Sequence, residues 1–260
     1  MENNVLQDIV IICEDSMEGI FTAIYEAYEL KKDHRRICIQ TKNNQEYHLF
    51  ASYSESITDR IKAEKVTNTI IREFGMDAFQ GICQALATEE KDKADMVYHG
   101  IVTGFSMKNR KGFLDNLANP YINKIFTMSR FTGNEAHHLM GFLRFQELEN
   151  GILFSKIGPK NNILTFLAPH FADRLPNENF MIYDENRKLC VVHPKKMQWI
   201  LVEGEKIDEE IMNKFSVREE EYQELFRYFC QTIAIKERIN LKLQKQMLPL
   251  RFQEFMTEFQ

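Results

Sequence analysis

Near Gly141 the apolar residues of this chain change their spacing. Upstream, from Asp59, they recur at the interval of an α-helix, whereas downstream they alternate as in a half-buried strand. No single kind of element satisfies both periods, so the fold must join a helical region to a sheet. Ile61, Val66, Ile70, Ile71 and Phe74 predict a helix closed by Gly75. Phe79, Ile82, Cys83 and Leu86 predict a second, and Val97, Ile101, Val102 and Phe105 a third, on which Gly100 and Gly104 suit close helix packing. Lys108, Arg110 and Lys111 read as a solvated basic loop.

Beyond the switch, Asn150-Gly151 is a two-residue hairpin signal that pairs Leu148 with Leu153, Gln146 with Ser155 and Arg144 with Ile157 on one face. A second hairpin over 180–192, turning at Glu185-Asn186, sets Asp184 against Arg187, Ile182 against Leu189 and Phe180 against Val191. A third strand is expected at 198–202. Between the hairpins, Leu167, His170, Phe171 and Arg174 share one face of a short helix, with Pro169 in its first turn.

The N-terminus has its own strand-and-helix signal. Residues 8–14 (DIVIICE) form a continuous run suited to a strand covered on both faces. A helix follows at once, with Asp15 and Glu18 spaced as a capping box and Ser16 as an alternative cap. Two short strands, 36–40 and 47–50, flank an Asn43-Asn44 turn. The expected fold is α+β, a helix-rich single unit with a small, mainly antiparallel sheet. Its lobes are a strand-helix-strand unit at 1–58, a helical region at 59–141, a sheet at 142–202 and a helical C-terminal region at 203–260, all folding together. At 260 residues, 44% of them apolar, the chain can bury one large core or two small ones.

The sheet region carries the chemistry. His138, Arg144, His170, Arg174, Asp184 and Arg187 sit among apolar neighbours, and such groups are costly to bury unless they pair or meet a ligand. Farther on, residues 203–224 are acidic, while Lys236, Arg238, Lys242, Lys245 and Arg251 make the last helical stretch basic, a segregation suited to an acidic partner or to a solvated face. The net charge of −5 leaves any nucleic-acid contact to a local patch.

The five cysteines stand singly, without a CxxC pair or zinc-ligand spacing; Cys13 and Cys190, in apolar strand-like runs, read as buried reduced thiols, and no metal or cofactor is expected. No secretory signal or membrane-length apolar run is legible, so a cytoplasmic protein is expected.

The runs HHLMGFLRFQEL (137–148), LAPHFADRL (167–175) and FMIYDENR (180–187), with DSMEGIFTAIYEAYE (15–29), resemble a bacterial family of unknown function associated with DNA metabolism. The resemblance spans nearly the whole chain and implies pairing with a DNA-modification or repair enzyme of the radical S-adenosylmethionine (SAM) class. Its characteristic positions fall on His138, Arg144, His170, Phe171, Arg174, Asp184 and Arg187. Phe180 stands where the family commonly has tryptophan, which keeps an aromatic ring but removes an indole donor.

Three readings of the polar residues follow. In the first, the protein is a non-catalytic accessory whose cluster binds a phosphate or nucleotide end while the basic C-terminal region contacts DNA or a partner. In the second it is an enzyme: His170 or His138 is the general acid or base, Asp184 orients it, and Arg144, Arg174 and Arg187 stabilise developing charge. In the third, Asp184 bridges Arg187 or Arg174 and the network only holds the fold.

Overall fold

A computed structural model describes residues 8–203 and 214–259, and the chain divides into two units, the first ending at Gly133 and the second beginning at Asn134. In the first, β1 (Asp8–Cys13) is the central strand of an all-parallel sheet, flanked by β2 (Ile37–Thr41) and β3 (Ala51–Glu55). That position explains its unbroken apolar run, since Val10 and Ile11 on opposite faces are both buried. The expected strand at 47–50 is displaced: Tyr47, Leu49 and Phe50 are exposed, and the chain pairs only from Ala51, on the far side of β1. Residues 42–50 thus return the chain to begin a parallel strand, so no hairpin forms at Asn43-Asn44.

Helix α1 (Met17–Glu29) follows β1, and its cap is Ser16, whose Oγ accepts from the Gly19 N–H at 3.0 Å. Asp15 is instead engaged by Lys93 Nζ at 2.7 Å. Helix α2 (Arg60–Phe74) starts at an Asp59 cap and stops at Gly75, whose φ of 97° ends the helical path. Then come α3 (Met76–Leu86), α4 (Lys93–Ser106) and α5 (Pro120–Phe142), inside which the division between units falls. The glycines of α4 admit close neighbours: a Cβ on Gly104 would lie 2.8 Å from the Phe113 ring and 2.9 Å from Phe74. The loop before α5 is pinned, with Arg110 on Glu73 at 2.6 Å and Lys111 Nζ on the Arg72 carbonyl at 2.8 Å.

The second unit is built on a five-stranded sheet ordered β4 (Gln146–Glu147), β5 (Leu153–Ile157), β6 (Phe180–Asp184), β7 (Leu189–His193) and β8 (Ile200–Glu203). The sheet is mixed rather than mainly antiparallel, because β5 and β6 run parallel. Helix α6 (Leu164–Arg174) supplies the crossover that a parallel pair requires. It starts earlier than expected, so Pro169 lies inside it and not in its first turn.

Both hairpins form, in shifted registers. In the first, Gln146 faces Phe154 and Glu147 faces Leu153, one residue off the expected pairing. Gly151 at φ 77° donates to the Leu148 carbonyl at 2.8 Å, which makes a three-residue loop, 149–151, in place of two. A one-residue shift exchanges the faces. Arg144 therefore does not share a strand face with Ile157; it precedes β4, outside the sheet. In the second hairpin Asp184 pairs with Leu189, Ile182 with Val191 and Phe180 with His193, a shift that keeps the faces but lengthens the turn to 185–188. Phe180 is buried and stacks on the His193 ring at 4.5 Å, while His193 Nδ1 donates to the Glu178 carbonyl at 3.1 Å. Phe180 thus presents an aromatic face to His193.

The α+β class is as the two periodicities require. Because rings border Gly104, Gly104→Ala should lower stability by roughly 1–3 kcal/mol in urea denaturation. Gly141→Ala, with nothing within 4 Å, should be neutral or stabilising.

Candidate functional site

The second half of α5 turns Thr132, Glu135, Ala136 and Leu139 inward at helical spacing, so a carboxylate is carried into the protein with apolar residues. Glu135 is 3% exposed and fully engaged. It accepts from the backbone N–H groups of Lys160 and Asn161 at 3.0 and 2.9 Å and from Asn161 Nδ2 at 2.7 Å, and it pairs with Arg251 Nη2 at 3.1 Å. Arg251 lies against the Phe252 ring, 4.6 Å from its centroid. The sequence reading passed over Glu135 and Asn161; the available signal was an acidic side chain in register with an apolar helical stripe.

The same loop, 158–162, is gripped from its other side by the β6–β7 turn. Asn186 Nδ2 donates to the Pro159 carbonyl at 2.9 Å, and Arg187 donates to the carbonyls of Pro159 and Lys160. Arg187 also pairs with Asp184 at 3.0 Å. The two are not cross-strand neighbours as expected; they stand three apart on one turn, where Asp184 Oδ1 accepts from the N–H groups of Asn186 and Arg187 at 3.0 and 3.2 Å. Burial raises the Asp184 carboxyl above its ordinary range, outweighing the opposing pull of Arg187 and these N–H groups.

The remaining predicted residues serve other contacts. Arg144 binds Glu258 through Nη2 at 2.7 Å and Nε at 3.3 Å and donates to the Gly141 and Leu143 carbonyls at 2.9 and 3.2 Å, capping the end of α5. It borders a hollow of about 360 Å³ shared with Phe145, Glu147, Glu219 and Tyr222. Two carboxylates on that rim disfavour a phosphate there. His138 stacks on Phe142 and meets Phe252 edge-on, with ring centroids 5.7 and 6.0 Å away. His170 stands edge-on to Phe171 at 5.0 Å, and Arg174 is exposed at the end of α6. The structure thus brings Asp184 and Arg187 into direct contact, while Arg144, His138 and His170 have other immediate partners. With Oδ1 held by two N–H groups and Oδ2 by Arg187, Asp184 is committed to its own turn.

A family profile described as a domain of unknown function, DUF4130, matches residues 91–258, more than half of the chain. This chain belongs to the DUF4130 family. No curated protein matches it. The DUF4130 span holds every member of the loop network, from Glu135 to Arg251, and ends at Glu258, the partner of Arg144.

The DUF4130 span also contains a surface of different character. Helix α7 (Val217–Ile233) buries only Glu219, which accepts from the Glu147 N–H at 2.9 Å. From 231 to 247, through α8 (Leu241–Met247), every described side chain is exposed. Ile233, Ile235, Ile239, Leu241, Leu243 and Met247 are among them. Arg238, Lys242 and Lys245 make no ion pair with any described residue. Lys236 belongs to the same stretch, but its side chain lies outside the described residues, as does the segment 204–213 of the acidic stretch. Arg251 differs from the other predicted basic contacts because it turns inward to Glu135. Among the described residues no helix is long and apolar enough to cross a membrane. The cysteines are free thiols, with burial pushing Cys13 and Cys190 up to about 12.

Arg144→Ala should cost about 1–3 kcal/mol in urea denaturation by stranding Glu258, whereas Arg174→Ala should change stability by less than about 0.5 kcal/mol. A pH series tests Asp184. The native state holds this proton more tightly than the unfolded chain, so its contribution is full below the ordinary value of 3.8 and is lost as pH rises through the raised one. Asp184→Asn should remove that part of the slope.

Proposed function

We propose that this chain is a non-catalytic accessory protein of DNA metabolism that works with a radical SAM DNA-modification or repair enzyme, and that residues 231–247 form its contact surface. The observation that carries this reading is the arm itself, with six large apolar side chains exposed together within one short stretch. Apolar surface gains about 25 cal/mol per Å² when removed from water, and an exposed patch of this kind marks an interaction site. The stretch also holds four basic residues against a single acidic one, Glu237, which suits an acidic protein surface or a phosphate backbone.

The central arginines support this placement by their commitments. Arg144, Arg187 and Arg251 each pair with a carboxylate, so a phosphate arriving there would compete with an existing ion pair. Arg238, Lys242 and Lys245 have no such competitor among the described residues. Nucleic acid and the enzyme can therefore both be tested at one surface.

Titration calorimetry with the purified radical SAM enzyme should show binding that Leu241→Asp with Leu243→Asp weakens by about tenfold or more. DNA affinity should fall steeply with salt, with a shallower slope in Lys242→Glu with Lys245→Glu. If the full chain binds neither the enzyme nor DNA at low salt, the proposal fails.

A further inference from the structure

The first unit contains a hollow of about 170 Å³ among α1, α2 and α4, and its chemistry is unlike that of the polar network. Its floor is apolar, formed by Ile24, Ile70, Ile101 and Phe105, while Tyr28 and Lys65 also line it. An apolar cavity of about 150 Å³ accommodates one benzene ring, so this space suits a single six-membered ring or a short branched chain.

One charged group gives the hollow a preference. Lys65 Nζ lies 5.2 Å from the Tyr25 ring centroid and forms no ion pair with a described residue, whereas neighbouring Lys62 is held by Glu26 at 2.8 Å. The uncompensated positive charge at the rim is therefore that of Lys65. An apolar floor and an uncompensated cation meet in one small space.

We infer that this hollow is a binding site for a small organic carboxylate, its ring or branched body against Ile24, Ile70 and Ile101 and its anion at the Lys65 ammonium. The inference is independent of the proposed contact surface in the other unit. It requires no covalent step: the apolar walls take the ligand's body and the charge at the rim selects its polar end.

Phenylacetate is a direct probe, and benzyl alcohol is its neutral counterpart. With the full chain labelled at isoleucine methyl groups, phenylacetate should shift Ile24, Ile70 and Ile101 in NMR spectra and bind with a Kd in the millimolar range or tighter. Lys65→Ala, a change at an exposed position, should weaken phenylacetate by about tenfold and leave benzyl alcohol unchanged. Val66→Phe, which fills the hollow, should abolish both. The inference is overturned if phenylacetate shifts none of the three methyls, if it shifts others in their place, or if Lys65→Ala leaves its affinity intact. The methyl map and the lysine variant decide the matter even if Val66→Phe fails to fold.

Discussion

A buried carboxylate organises the second unit. Glu135 sits where a helix would ordinarily place an apolar residue, and it is tolerable there because three N–H donors and a guanidinium converge on it. The consequences spread outward from loop 158–162. With its N–H groups fixed by Glu135 and its carbonyls fixed by Asn186 and Arg187, this loop sets where β5 ends and α6 begins. The parallel pairing of β5 with β6 depends on that crossover. Arg251 brings residues near the C-terminus to the same carboxylate, so sheet, helix and terminal segment share one anchor.

This anchor changes how the positive charges of the chain are understood. Arginines scattered through an apolar sequence suggest a site waiting for an anion, yet Arg144, Arg187 and Arg251 each have a carboxylate partner from this chain. Their planar, multiply donating heads are used to tie backbone segments together. On the arm, by contrast, Arg238, Lys242 and Lys245 meet no carboxylate among the described residues and stand beside exposed isoleucines and leucines. Basic residues that look alike in composition thus fall into two sets, one paired inside the second unit and one exposed on the arm.

Much of the architecture was legible because it depends on local rules. The helical spacing of Ile70 and Phe74, the stop at Gly75 and the unbroken apolar run of β1 each reflect a constraint acting within a few residues. The registers were not legible. Whether the Asn150-Gly151 loop holds two residues or three depends on where the left-handed glycine falls in the turn, and that choice inverts the faces of a strand. Likewise the Asp184–Arg187 pair could be anticipated from composition, but its origin in a turn could not. Glu135 escaped notice because its partners lie 25 and more residues away, beyond the reach of any local pattern. The arm's basic character and a solvated face were readable, whereas the exposure of the apolar side chains between its charges, a matter of what fails to pack on them, was not.

The distance between Arg144 and Glu258 along the chain has a consequence for biosynthesis. One hundred and fourteen residues separate the two charges. As the polypeptide emerges from the ribosome, the end of α5 is present well before the acid that neutralises its arginine. During that interval water or a chaperone must accommodate the guanidinium, and the second unit reaches its final form only when translation has passed Glu258.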